Sequence, residues 1–176
     1  MPLPMPAWRR RAVLRTSALL GAAVAAGSLA GCASTVPVAV ATHATDPVCA
    51  DVVLSTPDVL GPGLHRLATS AQATTAWGTK QAPVVLRCGV EPPGPTTERC
   101  ETIQTPNGPS IDWLVIPADA AASSTGAPTD WTFVTYGRVP AVEVHVPAEV
   151  AAQRSTSFLD ALGPAIARTT KERSCV

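Results

Sequence analysis

Charge is scarce in this sequence. Only 15% of its 176 residues are charged, 13 basic against 13 acidic, so the formal net charge is zero. That balance excludes a general electrostatic grip on nucleic acid, which needs a basic patch or stripe. Metal-ligand spacing is lacking as well: none of the five cysteines forms a Cys-x-x-Cys pair, and none is spaced with histidine like a zinc site. The serine hydrolase elbow Gly-x-Ser-x-Gly, a Ser-x-x-Lys pair, His-Glu-x-x-His and the phosphate loop Gly-x-x-x-x-Gly-Lys-Ser/Thr are all absent. No internal repeat is found. No metal and no cofactor is expected. What is present argues for a folded chain. An apolar fraction of 46% is too high for a disordered sequence. The length suits one domain with a single core. The 18 prolines, about twice the usual share, predict stiff turns and few helices.

Residues 1–31 have the organisation of an export signal. Arg9-Arg10-Arg11 and Arg15 precede an apolar run from Ala18 to Ala30, too short for the roughly 20 residues that cross a bilayer as a helix. The run ends in Leu29-Ala30-Gly31-Cys32, which resembles the lipobox of bacterial lipoproteins. That resemblance implies a diacylglyceryl group on the Cys32 sulfur and cleavage just before it. An ordinary secretory signal that happens to contain cysteine is the alternative. Arg10-Arg11-Ala12-Val13-Leu14-Arg15 also resembles a twin-arginine motif, with Arg9 and Val13 departing from it, so the export route stays open. A lipid-bearing Cys32 predicts anchoring to the outer leaflet of the cell membrane without a transmembrane helix. Removing residues 1–31 takes four arginines and no acids; nine basic residues then face thirteen acidic ones, a net charge of about −4. Residues 32–46 read as the lipidated cysteine and a flexible tether, with His43 in water. Residues 47–176 read as a single domain.

Four cysteines remain in that domain: Cys49, Cys88, Cys100 and Cys175. Outside the cytosol an even count reads as two disulfides, with three connectivities open. Cys88–Cys100 and Cys49–Cys175 are the expected pairs. The first would close the excursion Glu91-Pro92-Pro93-Gly94-Pro95, and the second would tie the domain ends. In the chain-entropy model such loops stabilise by about 3 and about 5 kcal/mol as upper estimates.

The domain reads as α+β: a mostly antiparallel sheet built of hairpins, with a C-terminal helix on one face, stapled by disulfides. Asp46-Pro47 predicts a helix start running to about Leu54, although Val52-Val53-Leu54 suits a strand equally. Asp58 to Gly63 is turn-rich, Leu64 to Thr69 a weak strand, and Pro83 to Val90 a strong one. Pro106-Asn107-Gly108 marks the turn of a hairpin between Thr102–Gln104 and Ile111–Ile116. Asp119 to Thr129 reads as a loop of small residues, leading into a strand over Trp131–Tyr136. In Ala141–Val146 the valines Val142, Val144 and Val146 face one way, and Ala141, Glu143 and His145 the other. Ser157 to Lys171 reads as a helix that Pro164 bends or interrupts. Trp113 and Trp131 are core candidates.

Candidates for chemistry are few. His43 and His145 read as solvated, and a lone His65 is more often structural than catalytic. Glu98, Glu101 and Asp112 come near one another across the hairpin, the minimal requirement of a glycosidase, although acids on hairpin surfaces are common. Arg138, beside Tyr136 and Gly137, could present a guanidinium fork to a carboxylate or phosphate. Arg66 and Arg87 could complete an anion site, although the direction of Arg87 depends on strand register. The competing reading of Arg138 is a structural ion pair or stack.

Several of these residues sit in a recurring order: Trp77-Gly78, Arg87-Cys88-Gly89-Val90, Asp112-Trp113, then Tyr136-Gly137-Arg138 before Pro140-Ala141-Val142. Over most of residues 47–170 the chain resembles an uncharacterised family of actinobacterial exported proteins built on a domain of unknown function. The resemblance implies an anchored or secreted envelope protein and supplies no catalytic residue, substrate or cofactor. Two classes follow. One is a non-enzymatic lipoprotein that binds an envelope protein or cell-wall ligand. The other is a small extracytoplasmic hydrolase of an envelope glycan or ester. A deep pocket with converging polar groups would distinguish them.

Overall fold

The computed structural model describes residues 35–106 and 108–176. The signal peptide read in 1–31 and the lipidation read at Cys32 lie outside them. Helix α1 (Pro47–Leu54) starts where Asp46-Pro47 predicts. The Asp46 side chain accepts a hydrogen bond from the Val48 N–H at 2.9 Å, satisfying a donor that the first helical turn leaves open. Strands β1 (Val59–Gly61), β2 (Leu64–Leu67), β3 (Thr74–Gly78) and β4 (Pro83–Val90) follow. Next come β5 (Cys100–Ile103) and β6 (Ile111–Pro117), the expected hairpin, and then β7 (Trp131–Thr135), β8 (Arg138–Val139) and β9 (Ala141–Val146). The loop expected at 119–129 contains a short helix, α2 (Ala120–Thr125). Asp119 caps its start by accepting from the Ala121 and Ala122 N–H groups, and Gly126 ends it in the left-handed region.

Eight of these strands form one sheet in the order β1-β2-β3-β4-β9-β7-β6-β5, each antiparallel to its neighbours. The two faces follow from strand alternation. Trp77, Val84, Leu86, Cys88, Trp113, Val115, Phe133, Val142, Val144 and Val146 form the inner face, all within one buried core. Each fully buried valine there contributes about 1.5–2 kcal/mol of hydrophobic stabilisation. Arg87, Glu143, His145, Val134, Leu114 and Asp112 alternate onto the outer face. The α+β reading holds, including the inward set on β9.

After β9 come α3 (Ala148–Ala151), a 3₁₀ helix at Thr156–Leu162, α4 (Gly163–Ile166) and β10 (Thr170–Lys171), which pairs with β8. The C-terminal helix expected from Ser157 to Lys171 is therefore divided. Pro164 falls in the first turn of α4, where its missing N–H costs nothing, and it cannot extend the preceding turns as one helix. Across this division Leu159, Leu162 and Ile166 are buried in the core with Val52 of α1.

The disulfides are two, but the pairing expected from the sequence is wrong. Cys49 is bonded to Cys88 and Cys100 to Cys175, with Cα separations of 5.4 and 5.9 Å. Cys88 and Cys100 are close in sequence, yet β4 and β5 lie four strand spacings apart, about 19 Å. A disulfide needs Cα atoms within about 7 Å. They also face opposite ways: Cys88 alternates with Arg87 and joins the core, whereas Cys100 stands opposite Leu114 on the outer face. Residues 91–99, which include the expected excursion Glu91–Pro95, carry the chain from the middle of the sheet to its far edge.

The tether is corrected from Thr35 onward. Val36 donates its N–H to the Ala68 carbonyl at 2.8 Å and accepts from the Ser70 N–H at 3.0 Å, bridging to Thr69 at the end of β2. Val38 N–H binds the Ser70 hydroxyl at 3.0 Å, and His43 N–H binds the Gly89 carbonyl at 2.7 Å. Val36, Ala41 and Ala44 are buried. Small residues without periodicity can still be fixed when a sheet offers backbone partners. Residues 35–176 accordingly form one compact unit, twelve residues longer at its start than the domain read from Pro47.

Non-reducing peptide mapping should recover Cys49–Cys88 and Cys100–Cys175 and no Cys88–Cys100 peptide. Replacing both Cys49 and Cys88 by alanine should lower stability by about 2–4 kcal/mol in denaturant melts.

Candidate functional site

The outer face carries a cleft. Arg87 of β4 lies directly opposite Glu143 of β9, and its Nε and Nη2 both donate to Glu143 Oε1, at 2.9 and 2.8 Å. Among the described residues, Glu143 Oε2 and Arg87 Nη1 meet no further protein partner. Val40, Ala41 and Thr42 form one wall beside this pair, Val90 to Gly94 the other, and Val134 completes the floor. The cleft is open to solvent and measures about 540 Å³. Its chemistry is an acceptor oxygen and a guanidinium edge between walls of small apolar residues and prolines that also carry the Thr42 hydroxyl and the Glu91 carboxylate. That arrangement can hold a polar group by hydrogen bonds and offers no nucleophile–base pair.

Arg87 is thus the one arginine of the expected anion site that borders this cleft. Arg66 turns toward α1 instead, donating from Nη1 to the Thr56 carbonyl at 3.3 Å and from Nη2 to the Val53 carbonyl at 3.0 Å. Val53 is in the last turn of α1 and Thr56 follows the helix, so Arg66 ties β2 to the end of α1. Arg138, read from its sequence neighbours as a candidate to present its guanidinium to an anionic ligand, is only 4% exposed. Its Nη1 donates to the carbonyl of Thr169 at 3.0 Å and, more weakly, to that of Ile166 at 3.4 Å. Burial pulls the Arg138 pKa below its ordinary value, and the carboxylate of Asp112 opposes that shift. Tyr136 is half-buried and lines a separate cavity of about 200 Å³ with Cys100, Leu114 and Cys175. The three arginines serve three different parts of the fold, and the anion site does not form.

The carboxylates of the hydrolase alternative do not meet either. Glu101 stands opposite Trp113 and Thr102 opposite Asp112, so Glu101 and Asp112 project from opposite faces. Glu101 pairs with Arg99, and Glu98 is exposed. Asp112 is buried and fully engaged: Oδ1 accepts from the Thr102 hydroxyl at 2.7 Å, and Oδ2 accepts from the Cys175 N–H at 3.3 Å and pairs with Lys171 at 3.6 Å. It fastens the C-terminal segment to β6. His43 is half-exposed and pairs with Glu91, and His65 is exposed on β2. No group of three metal-type ligands comes together among the described residues.

Two participants escaped the sequence reading. Glu143 was visible as an outward position of β9, but its partner could be found only by pairing opposite charges across strands of unknown order. Arg154 gave no signal at all. Its Nη1 donates to the Pro62 carbonyl at 2.7 Å, its Nε is buried without a partner, and it borders a second cleft of about 460 Å³ with Leu60 and Phe158.

A family model described as a protein of unknown function (DUF3515) matches residues 11–175. The chain belongs to the DUF3515 family. No curated protein and no solved structure matches it. In this DUF3515 chain, the segments that carried the resemblance turn out to hold the fold. In Arg87-Cys88-Gly89, Arg87 pairs with Glu143, Cys88 is bonded to Cys49, and Gly89 at φ 87° leaves room for the backbone of His43, which a Cβ would strike. In Tyr136-Gly137-Arg138, the Gly137 carbonyl accepts from the N–H groups of Glu172 and Arg173, and a Cβ at Gly137 would strike the Arg173 backbone. Trp77 donates from Nε1 to the Pro57 carbonyl at 2.8 Å.

Arg138→Lys should lower the melting temperature by several degrees, about 1–2 kcal/mol, because the shorter side chain draws its nitrogen back from the carbonyls of Thr169 and Ile166 and places a strongly hydrated ammonium in a buried site. Thermal melts monitored by circular dichroism check this, and an unchanged Tm would remove the structural role.

Proposed function

We propose that this DUF3515 protein is an exported cell-envelope lipoprotein, held to the outer leaflet by a diacylglyceryl group on Cys32, whose domain acts as a non-enzymatic binding or accessory module. The cysteine arithmetic carries the reading. The four domain cysteines are consumed by two disulfides, so Cys32 is the one thiol of the five left to accept a lipid. It stands at the end of a basic stretch, an apolar run and the Leu29-Ala30-Gly31-Cys32 sequence. Two disulfides suit an oxidising compartment outside the cytoplasm. Among the described residues no helix is long and apolar enough to cross a membrane. Two acyl chains supply stable attachment, at about 0.8 kcal/mol for each buried methylene.

The binding role rests on the cleft beside Arg87 and Glu143, where an envelope protein or cell-wall ligand would enter between the Val40–Thr42 wall and Pro92-Pro93. Hydrogen-bonding capacity without a nucleophile favours retention of a ligand over its conversion.

Intact-mass measurement on protein extracted from membranes should give a chain beginning at Cys32 with added diacylglyceryl mass. Cys32→Ser should leave an uncleaved chain without that mass. A mature N-terminus elsewhere, carrying no lipid, would overturn the anchoring.

A further inference from the structure

The fold begins within a few residues of the proposed anchor. Val36 is 3% exposed and is fixed by two backbone hydrogen bonds to the β2–β3 connection. Four peptide units join it to Cys32, and fully extended they reach roughly 14 Å. A lipid on Cys32 therefore restricts how far this part of the domain can stand from the headgroups, and which part it is.

The composition of that part is distinctive. No residue from Thr35 to Thr42 or from Leu67 to Thr79 is charged, whereas the chain after residue 31 carries about −4 overall. Pro37, Ala39, Ser70 and Gln72 are exposed there, and Val40 is 60% exposed. An acidic protein is repelled by an anionic leaflet, and this uncharged corner with exposed small apolar residues is repelled less than the rest of the same sheet end, which carries Glu91, Glu172 and Arg173.

From the covalent reach and this charge distribution, and resting on the lipid anchor at Cys32, we propose that the domain does not sway on a tether. Its end formed by residues 35–40 and the β2–β3 connection, residues 68–73, lies against the membrane surface. The partner of this surface is the lipid headgroup layer itself. Contact with the layer orients the sheet end-on, with the β3–β4 connection directed away from the membrane.

Gln72 and Gln81 provide a matched pair for the test. Both are exposed, and they flank β3 at opposite ends, separated by about 17 Å of strand. A photoreactive benzoylphenylalanine at either position, in lipidated protein reconstituted into vesicles of phosphatidylglycerol and phosphatidylethanolamine, reports lipid contact by crosslinking. Labelling should be several-fold stronger from position 72 than from position 81. Inserting about twelve Gly/Ser residues between Ser34 and Thr35, a span of roughly 20 Å, should erase most of that difference. Equal labelling from both positions, in protein whose mass confirms the lipid, would overturn the end-on contact and leave the anchoring intact. Absence of the lipid mass would overturn both.

Discussion

The ladder between β4 and β9 is the constraint on which the rest of the sheet depends. Strands β1 to β4 are laid down in sequence order, and so are β5 to β7, beginning from the far edge. β9 then enters between β4 and β7 and joins the two groups. Neither disulfide spans this seam: one lies wholly before residue 90 and the other wholly after residue 99. What closes it is main-chain pairing, the interlocked valines of β9 with Leu86 and Cys88, and the Arg87–Glu143 pair. A partly shielded pair of this kind contributes about 1 kcal/mol at most, so apolar burial along the ladder carries most of the closure.

The two ends of the described chain are secured in parallel fashion. At the start, residues 35–45 run past β2 and β4, and Gly89 allows the backbone of His43 to approach. At the end, residues 172–175 run past the β7–β8 turn, where Gly137 allows the same for Arg173. Each approach is accompanied by a disulfide, Cys49–Cys88 in the first case and Cys100–Cys175 in the second. The positive-φ glycines thus have a steric reason beyond turn formation: only a residue without Cβ fits beneath a crossing backbone.

Much of this fold could be read from local chemistry. The Asp46-Pro47 start of α1, the bounds of β4 and the inward valines of β9 each depend on neighbours within a few residues, and each is found as expected. Strand β3 was not visible, because Thr74-Thr75-Ala76 has no apolar alternation and becomes buried only through the strands beside it. The cysteine pairing failed for a related reason. Proximity in sequence predicts proximity in space only when the intervening chain turns back, and residues 91–99 cross the sheet instead. Arg138 was misplaced because its partners, the carbonyls of Ile166 and Thr169, come from a segment whose position no local pattern specifies. Glu143 and Arg87 were each read as strand residues, and only the order of the strands made them a pair.

The connectivity of the disulfides bears on how the protein matures. Taken in order along the domain, the first cysteine joins the second and the third joins the fourth. In a chain exported unfolded, Cys49 and Cys88 would both emerge before Cys100. Oxidation in order of emergence then yields the native bonds directly, whereas either other arrangement would leave an early thiol waiting for a later one. On such a route the native pairing would need no exchange between the two disulfides.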